Sequence, residues 1–216
     1  MTGLHEEVLD GSTADLLSRI GAGQAFRDFY LAGGTGLALQ LGHRMSLDLD
    51  LFSERPWSAA FLLDALRALG PTIIDSESEG TLVGSVGNVR VSFVYYPYPL
   101  LEPLLQTPAG VPLAGLLDIA CMKLIAVSQR GSRKDLVDLY FLGLAGVDLR
   151  QALDALSRKM PGVEHNRVHL ARSLAYFADA EGEPEPRMLV PFRWSSARDY
   201  CLARSRDLLQ EILEAG

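Results

Sequence analysis

Residues 46–52, SLDLDLF, alternate without a break between leucine and polar or acidic side chains. Because successive side chains of a strand point to opposite faces, the pattern predicts a strand with Ser46, Asp48 and Asp50 on one face. The opposite, core-facing side would consist of Leu47, Leu49 and Leu51. The two carboxylates would lie about 6.6–6.8 Å apart along the strand, and a divalent cation with oxygen ligands would offset their repulsion. The alternative is the solvated face of a half-exposed strand, which the strand alone favours because such faces are polar by default.

A glycine turn precedes this strand. Residues 27–32 predict a short strand and residues 35–42 a helix with Thr35 as its N-cap. Gly33 and Gly34 lie between them, where glycine lets the backbone turn tightly and approach a ligand closely. Free amides at a helix start attract phosphates, and the Thr35 hydroxyl could bind a phosphate oxygen instead of capping the helix. A simple turn is the alternative. A phosphate-binding turn one short helix before an acidic strand is, however, what a nucleoside triphosphate site requires.

Strands and helices are mixed before Pro112, and helical patterns follow it. Residues 12–22 and 57–69 have helical spacing, and the β-rich segments 81–86 and 89–95 flank Gly87-Asn88, a hairpin signal. Further helices are predicted over 114–128, 132–145, 150–159, 166–178 and 197–214, with a proline-containing linker at 180–192. The predicted fold class is therefore α+β, with a small mixed sheet and flanking helices in residues 1–113 and a helical part in residues 114–216.

The helical half contains a second group of charged residues. Lys123 lies in the apolar string DIACMKLIAV, where a lysine either extends its amine to solvent or is buried beside an anion. Asp135 and Asp138 are three residues apart and share a helix face, although Ser132 followed by Asp135 also resembles a capping box. Basic residues cluster at the same helix start, as solvated surface or as an anion-binding group: Arg130, Arg133 and Lys134.

Composition excludes several classes of protein. Hydrophobic residues make up 48% and charged residues 22% of the 216 residues, which excludes a disordered, collagenous or coiled-coil chain. Two cysteines are too few for a disulfide scaffold, and the N-terminus lacks the apolar core of a signal peptide. The most apolar stretch, residues 109–127, contains Asp118 and Lys123 and predicts a core helix instead of a membrane span. We therefore expect a cytoplasmic protein that does not bind membranes.

The net charge of −7 argues against a strongly basic nucleic-acid-binding protein, but it is unevenly distributed. Residues 1–118 contain 6 Lys/Arg and 14 Asp/Glu, whereas residues 119–216 contain 14 and 13. An acidic first half suits a cation site, and basic clusters in the second half suit an anionic ligand. The alternative, which composition alone favours, is a solvated surface with unevenly distributed charge. The C-terminal stretch adds Arg187, Arg193, Arg198, Arg204 and Arg206.

Residues 33–52 and 118–142 together resemble the motif blocks of the AbiEii/AbiGii toxin family of nucleotidyltransferases, in the DNA polymerase β-like superfamily. The resemblance covers about residues 28–145. It implies that the glycine turn binds the triphosphate, that Asp48 and Asp50 hold Mg²⁺ or Mn²⁺, and that residues of later helices complete the site. To catalysis it assigns Asp48, Asp50, Lys123 and Asp135, with Asp138, Arg133 and Lys134 as further candidates. To nucleotide binding it assigns Gly33, Gly34, Thr35, Arg44, Ser46 and Lys123.

The resemblance also implies transfer of a nucleoside monophosphate (NMP) from a nucleoside triphosphate (NTP) to an acceptor hydroxyl. The setting it implies is a toxin–antitoxin or phage-defence system, with an antitoxin encoded nearby and the 3′ end of tRNA as acceptor. An antibiotic-type enzyme with a small-molecule acceptor and a non-catalytic nucleotide-binding module stay open as alternatives. The wider superfamily usually has a third metal-binding carboxylate on a later strand, where VRVSFVYY has Ser92. Two carboxylates hold one ion more readily than two, so the number of ions stays open, with Asp135 as the candidate to take over part of the role of the missing carboxylate.

Overall fold

The computed structural model describes residues 3–214 and divides the chain into two compact units, Met1–Gly115 and Leu116–Gly216. A five-stranded sheet with helices forms the first unit, and the elements described in the second are helices. The predicted α+β class is therefore confirmed. The first predicted domain range starts with residues 1–2 and the second finishes with residues 215–216, and these four residues lie outside the described part of the chain.

The first unit combines a mixed sheet with three α-helices in its described part. The helices are α1 (Gly11–Ala22), α2 (Gly33–Leu41) and α3 (Ala59–Leu69). The strands are β1 (Tyr30–Leu31), β2 (Leu49–Ser53), β3 (Thr72–Ser78), β4 (Thr81–Val86) and β5 (Val89–Tyr95). Their order in the sheet is β1-β2-β5-β4-β3, in which β2 and β5 are parallel and the other neighbours are antiparallel.

One face of this sheet forms the core of the first unit. Leu49 and Leu51 of β2 and Val91 and Phe93 of β5 are buried, each contributing about 1.5–3 kcal/mol by leaving water. Phe29 packs edge-on against Phe93, with ring centroids 5.1 Å apart. The intervening side chains of β2 and the central ones of β5 are half-buried on the opposite face. This second face carries the candidate site.

The predicted hairpin at Gly87-Asn88 is confirmed, whereas β3 was not predicted. Val86 pairs with Val89, and Gly87 has φ 59°, in the left-handed region that favours glycine. In β3, TIIDSES, the apolar residues are adjacent instead of alternating, and Ile73 is 65% exposed. An edge strand with little burial leaves no period-two signal in its sequence.

The second unit is built from helices, two of which are joined by a buried ion pair. They are α4 (Leu116–Arg130), α5 (Arg133–Leu144), α6 (Leu149–Lys159), α7 (Arg167–Ser173), α8 (Ala178–Glu181) and α9 (Trp194–Glu214). The helix predicted over 166–178 ends at Ser173 in the structure. Lys159 of α6 and Asp118 of α4 are fully buried and lie 2.6 Å apart. Within residues 3–214, no helix is long and apolar enough to cross a bilayer.

Candidate active site

The first unit places Gly33 at the junction of β1 and α2. Helix α2 begins at Gly33, so the prediction of Thr35 as its N-cap is wrong; the N-cap is Ala32, whose side chain makes no capping bond. Gly33 has φ 61°, a conformation that other residues adopt only with strain. A Cβ atom added to Gly33 would also lie 3.0 Å from Oδ2 of Asp50. Glycine therefore lets the uncapped start of α2 lie beside this carboxylate.

The Thr35 hydroxyl is buried and holds the segment that leads into β2. It donates to the backbone carbonyl of Asp48 and lies 2.7 Å from Oγ of Ser46. Since a hydroxyl has one proton, Ser46 is then the donor toward Thr35. These bonds join the first turn of α2 to the acidic segment. The sequence suggested a helix cap or a phosphate ligand for this hydroxyl, and the structure uses it to position the Asp48 backbone.

The segment before β2 departs from the predicted register. Strand β2 begins one residue after Asp48, so Ser46 and Leu47 precede the sheet. The Ser46 N–H donates to the carbonyl of Val8 at 2.9 Å, and with the Thr35 contact this holds the segment away from the ladder. Leu47 is 49% exposed, so its assignment to the core is wrong. From Asp48 onward burial alternates as predicted, and both carboxylates are half-buried.

Asp50 is held by the neighbouring parallel strand. It pairs in register with Ser92 of β5, and the Ser92 hydroxyl donates a 2.6 Å hydrogen bond to Asp50 Oδ1. In the described part of the chain, no group of three or more His, Cys, Asp or Glu side chains is placed to hold a metal. Asp48 and Asp50 still offer the ligands that Mg²⁺ uses, because this ion binds one or two protein carboxylates and completes its shell with water and substrate phosphates.

Arg44 lies against the glycine turn. Its side chain is buried, and Nη1 donates to the carbonyl of Met45 at 3.0 Å. A Cβ atom added to Gly34 would lie 2.5 Å from Nη2 of Arg44 and 3.7 Å from Oγ of Ser46. Gly34 therefore makes room for a guanidinium at the start of α2, where its charge adds to that of the helix N-terminus.

Lys123, Asp135 and Asp138 form a buried network in the second unit. The Lys123 amine lies 2.7 Å from Asp135 Oδ1 and 2.6 Å from Asp138 Oδ2, and all three side chains are almost inaccessible to solvent. Lys123 therefore does not extend to solvent. Ser132 is the N-cap of α5, but its hydroxyl donates to Asp135 Oδ2 at 2.7 Å instead of accepting from a backbone amide. The capping-box interpretation is therefore wrong.

The charges around Asp135 keep it ionised. Burial alone raises the pKa of this carboxyl, but the charge of Lys123 and the hydrogen bond and charge of Arg130 outweigh burial and lower the pKa to about 2. Arg130 Nε lies 2.7 Å from Asp135 Oδ2, with 59% of its side chain exposed. Asp135 is thus a carboxylate throughout the neutral range, bound to two cations and one hydroxyl.

The basic cluster at the start of α5 is divided between structural and exposed residues. Arg133 donates to the carbonyls of Ala180 and Glu181 at 2.9 and 3.2 Å and lies over the Trp194 ring, 4.9 Å from its centroid. Its interpretation as solvated surface is wrong, because the guanidinium is bound to the last residues of α8. Lys134 is exposed. The exposed arginines of the C-terminal stretch are Arg187, Arg193 and Arg206.

The predicted site residues thus form two groups, each described within its own unit. The first unit brings together Gly33, Gly34, Thr35, Arg44, Ser46, Asp48 and Asp50. The second unit brings together Lys123, Asp135 and Asp138. In the sequence, Ser92 stands out only as the position of an absent acid, and its hydrogen bond to Asp50 was not predicted. The register of β2 against β5 reveals that bond, and the sequence does not show the register.

Comparison with known proteins identifies relatives along most of the chain. Residues 15–206 match the profile of the family described as "Nucleotidyl transferase AbiEii toxin, Type IV TA system". An uncharacterized protein of Aquifex aeolicus (strain VF5) is 39% identical over 187 residues, which is 85% of this chain and 89% of that protein. The resemblance drawn from the two motif blocks is confirmed, and it extends beyond residues 28–145.

Solved structures of nucleotidyltransferases share the fold. A protein of H. pylori assigned as a nucleotidyltransferase has a TM-score of 0.57 at 15% identity, covering 96% of this chain and 99% of that chain. MenT4, a nucleotidyltransferase toxin of Mycobacterium tuberculosis H37Rv, has a TM-score of 0.51 at 16% identity, covering 90% of each chain. At such identities the similarity establishes the fold.

Proposed function

The chain belongs to the nucleotidyl transferase AbiEii toxin family, and from that membership we propose that it transfers an NMP from an NTP to an acceptor hydroxyl. The acceptor oxygen bonds to the α-phosphorus while the bond from that phosphorus to the bridging oxygen breaks. Pyrophosphate leaves, and the hydroxyl proton passes to a base or to solvent. The observation that supports this reaction best is the uncapped start of α2 beside the acidic pair Asp48 and Asp50.

Asp48 and Asp50 are the proposed ligands of Mg²⁺ or Mn²⁺. Both are half-buried, and the Oδ1 atom of Asp50 is already oriented by Ser92. Two carboxylates of this kind fit an ion that keeps several water ligands and also binds substrate phosphates. When bound, the ion neutralises charge on phosphate oxygens and favours ionisation of the acceptor hydroxyl. The contribution of the chain is to hold the two carboxylates in place before the substrate arrives.

The glycine turn and Arg44 are the proposed triphosphate-binding residues. The first amides of α2 have no side-chain cap, so they can donate to phosphate oxygens. Gly33 and Gly34 carry no side chain that would obstruct a close approach to the backbone. The buried Arg44 guanidinium lies against Gly34 and adds a positive charge at the same helix start. Thr35 and Ser46 contribute indirectly, because they fix the backbone of Asp48.

Lys123 and Asp135 stay candidates for the reaction through the family resemblance. The Lys123 amine is bound to two carboxylates, so binding a phosphate would require it to exchange one of them. A pKa of about 2 makes Asp135 a weak base, since an efficient general base has a pKa near the working pH. The geometry therefore favours a role in holding Lys123 over deprotonation of the acceptor. Asp138 holds the same amine from the following helical turn.

The proposed acceptor is a nucleic-acid end, the 3′ end of tRNA, and the proposed partner is a cognate antitoxin. Exposed basic residues of the second unit support an anionic partner, and they include Lys134, Arg187, Arg193 and Arg206. Such contacts weaken as salt rises, because binding releases counterions from the phosphate backbone. Arg133 is not among these contacts, because its guanidinium is bound to carbonyls of its own unit.

Label transfer tests this proposal. The protein is incubated with Mg²⁺, total tRNA and each NTP labelled at the α-phosphate, at low and moderate salt. We expect the wild-type protein to label tRNA and Asp48→Asn to lose this activity. The control Asp75→Asn, which changes an exposed acid of β3, should retain it. The double variant Lys134→Gln/Arg187→Gln should transfer less label. Label on a small hydroxylated compound but not on tRNA would favour an antibiotic-type enzyme. NTP binding without any transfer would favour a non-catalytic module.

A further inference from the structure

Ser92 lies directly beside Asp50, the second carboxylate of the acidic pair. It lies opposite Asp50 in the parallel ladder of β2 and β5 and is half-buried on the same face of the sheet. Its hydroxyl donates to Asp50 Oδ1 at 2.6 Å, and the other carboxylate oxygen, Oδ2, lies beside Gly33. One oxygen of Asp50 is thus held by the neighbouring strand, and the other lies next to the glycine turn.

We propose that Ser92 is a positioning residue that sets the orientation of Asp50 and restricts the acidic pair to one divalent cation. This inference rests on the proposed function. A hydrogen bond from a neutral donor to a carboxylate is short and strong, and it prevents the Asp50 side chain from rotating among its rotamers before the ion binds. Preorganised ligands hold a metal more tightly because less freedom is lost on binding.

The restriction to one ion follows from charge. Asp48 and Asp50 carry two negative charges, which one divalent ion balances. A carboxylate at position 92 would add a third charge within hydrogen-bonding reach of Asp50, and a second cation would offset the added repulsion. A serine donates a hydrogen bond there and adds no charge. The side chain at position 92 therefore decides how many ions the face can hold.

The experiment measures Mn²⁺ binding to the full chain by electron paramagnetic resonance and calorimetry. Ser92→Ala should weaken Mn²⁺ binding about tenfold or more, the usual effect of removing a residue that orients a metal ligand. Ser92→Thr keeps the hydroxyl on a residue that suits a strand and should restore affinity. Ser92→Asp should bind two ions per chain where the wild type binds one. Ser85→Ala is the matched control, because Ser85 is a half-buried serine of β4 on the same face.

Transfer kinetics add a second measurement. In Ser92→Ala, kcat should fall at saturating NTP and recover in part at high Mn²⁺, whereas general loss of folding would not respond to the ion. If Ser92→Ala binds Mn²⁺ as tightly as the wild type, or if Ser85→Ala loses as much affinity, the role of Ser92 is refuted. The proposed function is not affected by either result. A single ion bound to Ser92→Asp would refute the restriction to one cation. Absence of Mn²⁺ binding by the wild-type protein would refute the proposed function and this role together.

Discussion

Replacing Lys123 by methionine should destabilise the second unit strongly. The Lys123 amine lies 2.7 and 2.6 Å from the carboxylates of Asp135 and Asp138, and both acids are fully buried. Methionine preserves side-chain length and helix propensity. The substitution therefore removes the charge and its hydrogen bonds while leaving most of the packing volume in place.

The buried ion pairs of Lys123 determine the size of this destabilisation. Removing one partner of a buried ion pair costs about 3–5 kcal/mol, because the remaining charge is left without compensation. Burial raises the pKa of Asp135, yet Lys123 and Arg130 lower it from 3.8 to about 2, which corresponds to about 2.5 kcal/mol for this carboxyl. Arg130 is more than half exposed, so solvent screens its share. We expect the free energy of unfolding to fall by about 3–4 kcal/mol at pH 7.

Tryptophan fluorescence makes the measurement specific to the second unit. The chain has two tryptophans, Trp57 in the first unit and Trp194 in the second. A Trp57→Phe background leaves Trp194 as the reporter, and urea titrations then compare Lys123→Met with Lys134→Met. Lys134 is exposed on α5, so its substitution should change the unfolding free energy by less than about 0.5 kcal/mol.

The pH dependence provides an independent check. Stabilisation from Asp135 is complete above its unfolded pKa of 3.8 and is lost as pH falls toward about 2, because the folded state favours the ionised carboxyl. In Lys123→Met the lysine charge no longer counteracts the effect of burial on Asp135, so the pKa of this carboxyl is higher than in the wild type. The variant therefore loses less stability between pH 5 and 2.5. The cost of the substitution should therefore shrink as pH falls from 5 to 2.5. Equal unfolding free energies for the two methionine variants at pH 7, or a cost independent of pH, would refute this reasoning.

Three other measurements test separate features. Gly34→Ala should displace the Arg44 guanidinium, which lies 2.5 Å from the added Cβ. Calorimetry should then show weaker NTP binding with little change in the thermal midpoint, and unchanged NTP affinity would contradict a triphosphate site at this turn. Thr35→Val removes the buried hydroxyl bound to the Asp48 carbonyl and should cost about 1–3 kcal/mol in urea unfolding, whereas no loss would show that this bond is dispensable. Burial raises the pKa of both cysteine thiols to about 12, so a thiol reagent at pH 8 should modify them only after unfolding, and rapid modification of the native chain would contradict their burial.

Local sequence patterns predicted the parts of the fold and site that are close along the chain. The hairpin over 81–95 was predictable because two β-rich segments flank a two-residue glycine turn. The grouping of Gly33 with Asp50 was predictable because one short helix joins the turn to the acidic strand. The failure at Leu47 has a specific cause: hydroxyl and backbone bonds of Ser46 hold this segment outside the ladder, and the alternating pattern does not contain that information.

The contacts between distant residues could not be derived in this way. The bond from Ser92 to Asp50 depends on the parallel register of two strands that a whole crossover separates. Lys123 shows the same limit, because a lysine among apolar residues fits both solvent exposure and burial in an ion pair. Lys123 is buried because Asp135 and Asp138 of the following helix bind its amine. Their distance from Lys123 depends on how α4 and α5 pack.

The pairing of β2 with β5 also determines when, during synthesis of the chain, the Asp50 carboxylate can be oriented. Asp50 and Ser92 are 42 residues apart, and at about 5–20 residues per second a ribosome needs roughly 2–8 seconds to add the second after the first. During that interval the strand that orients the Asp50 carboxylate has not been synthesised. A nascent chain therefore acquires the oriented Asp50 carboxylate only after β5 has left the exit tunnel and closed the crossover. Synthesis arrested before Val89 would release a fragment with the acidic pair but without its Ser92 partner.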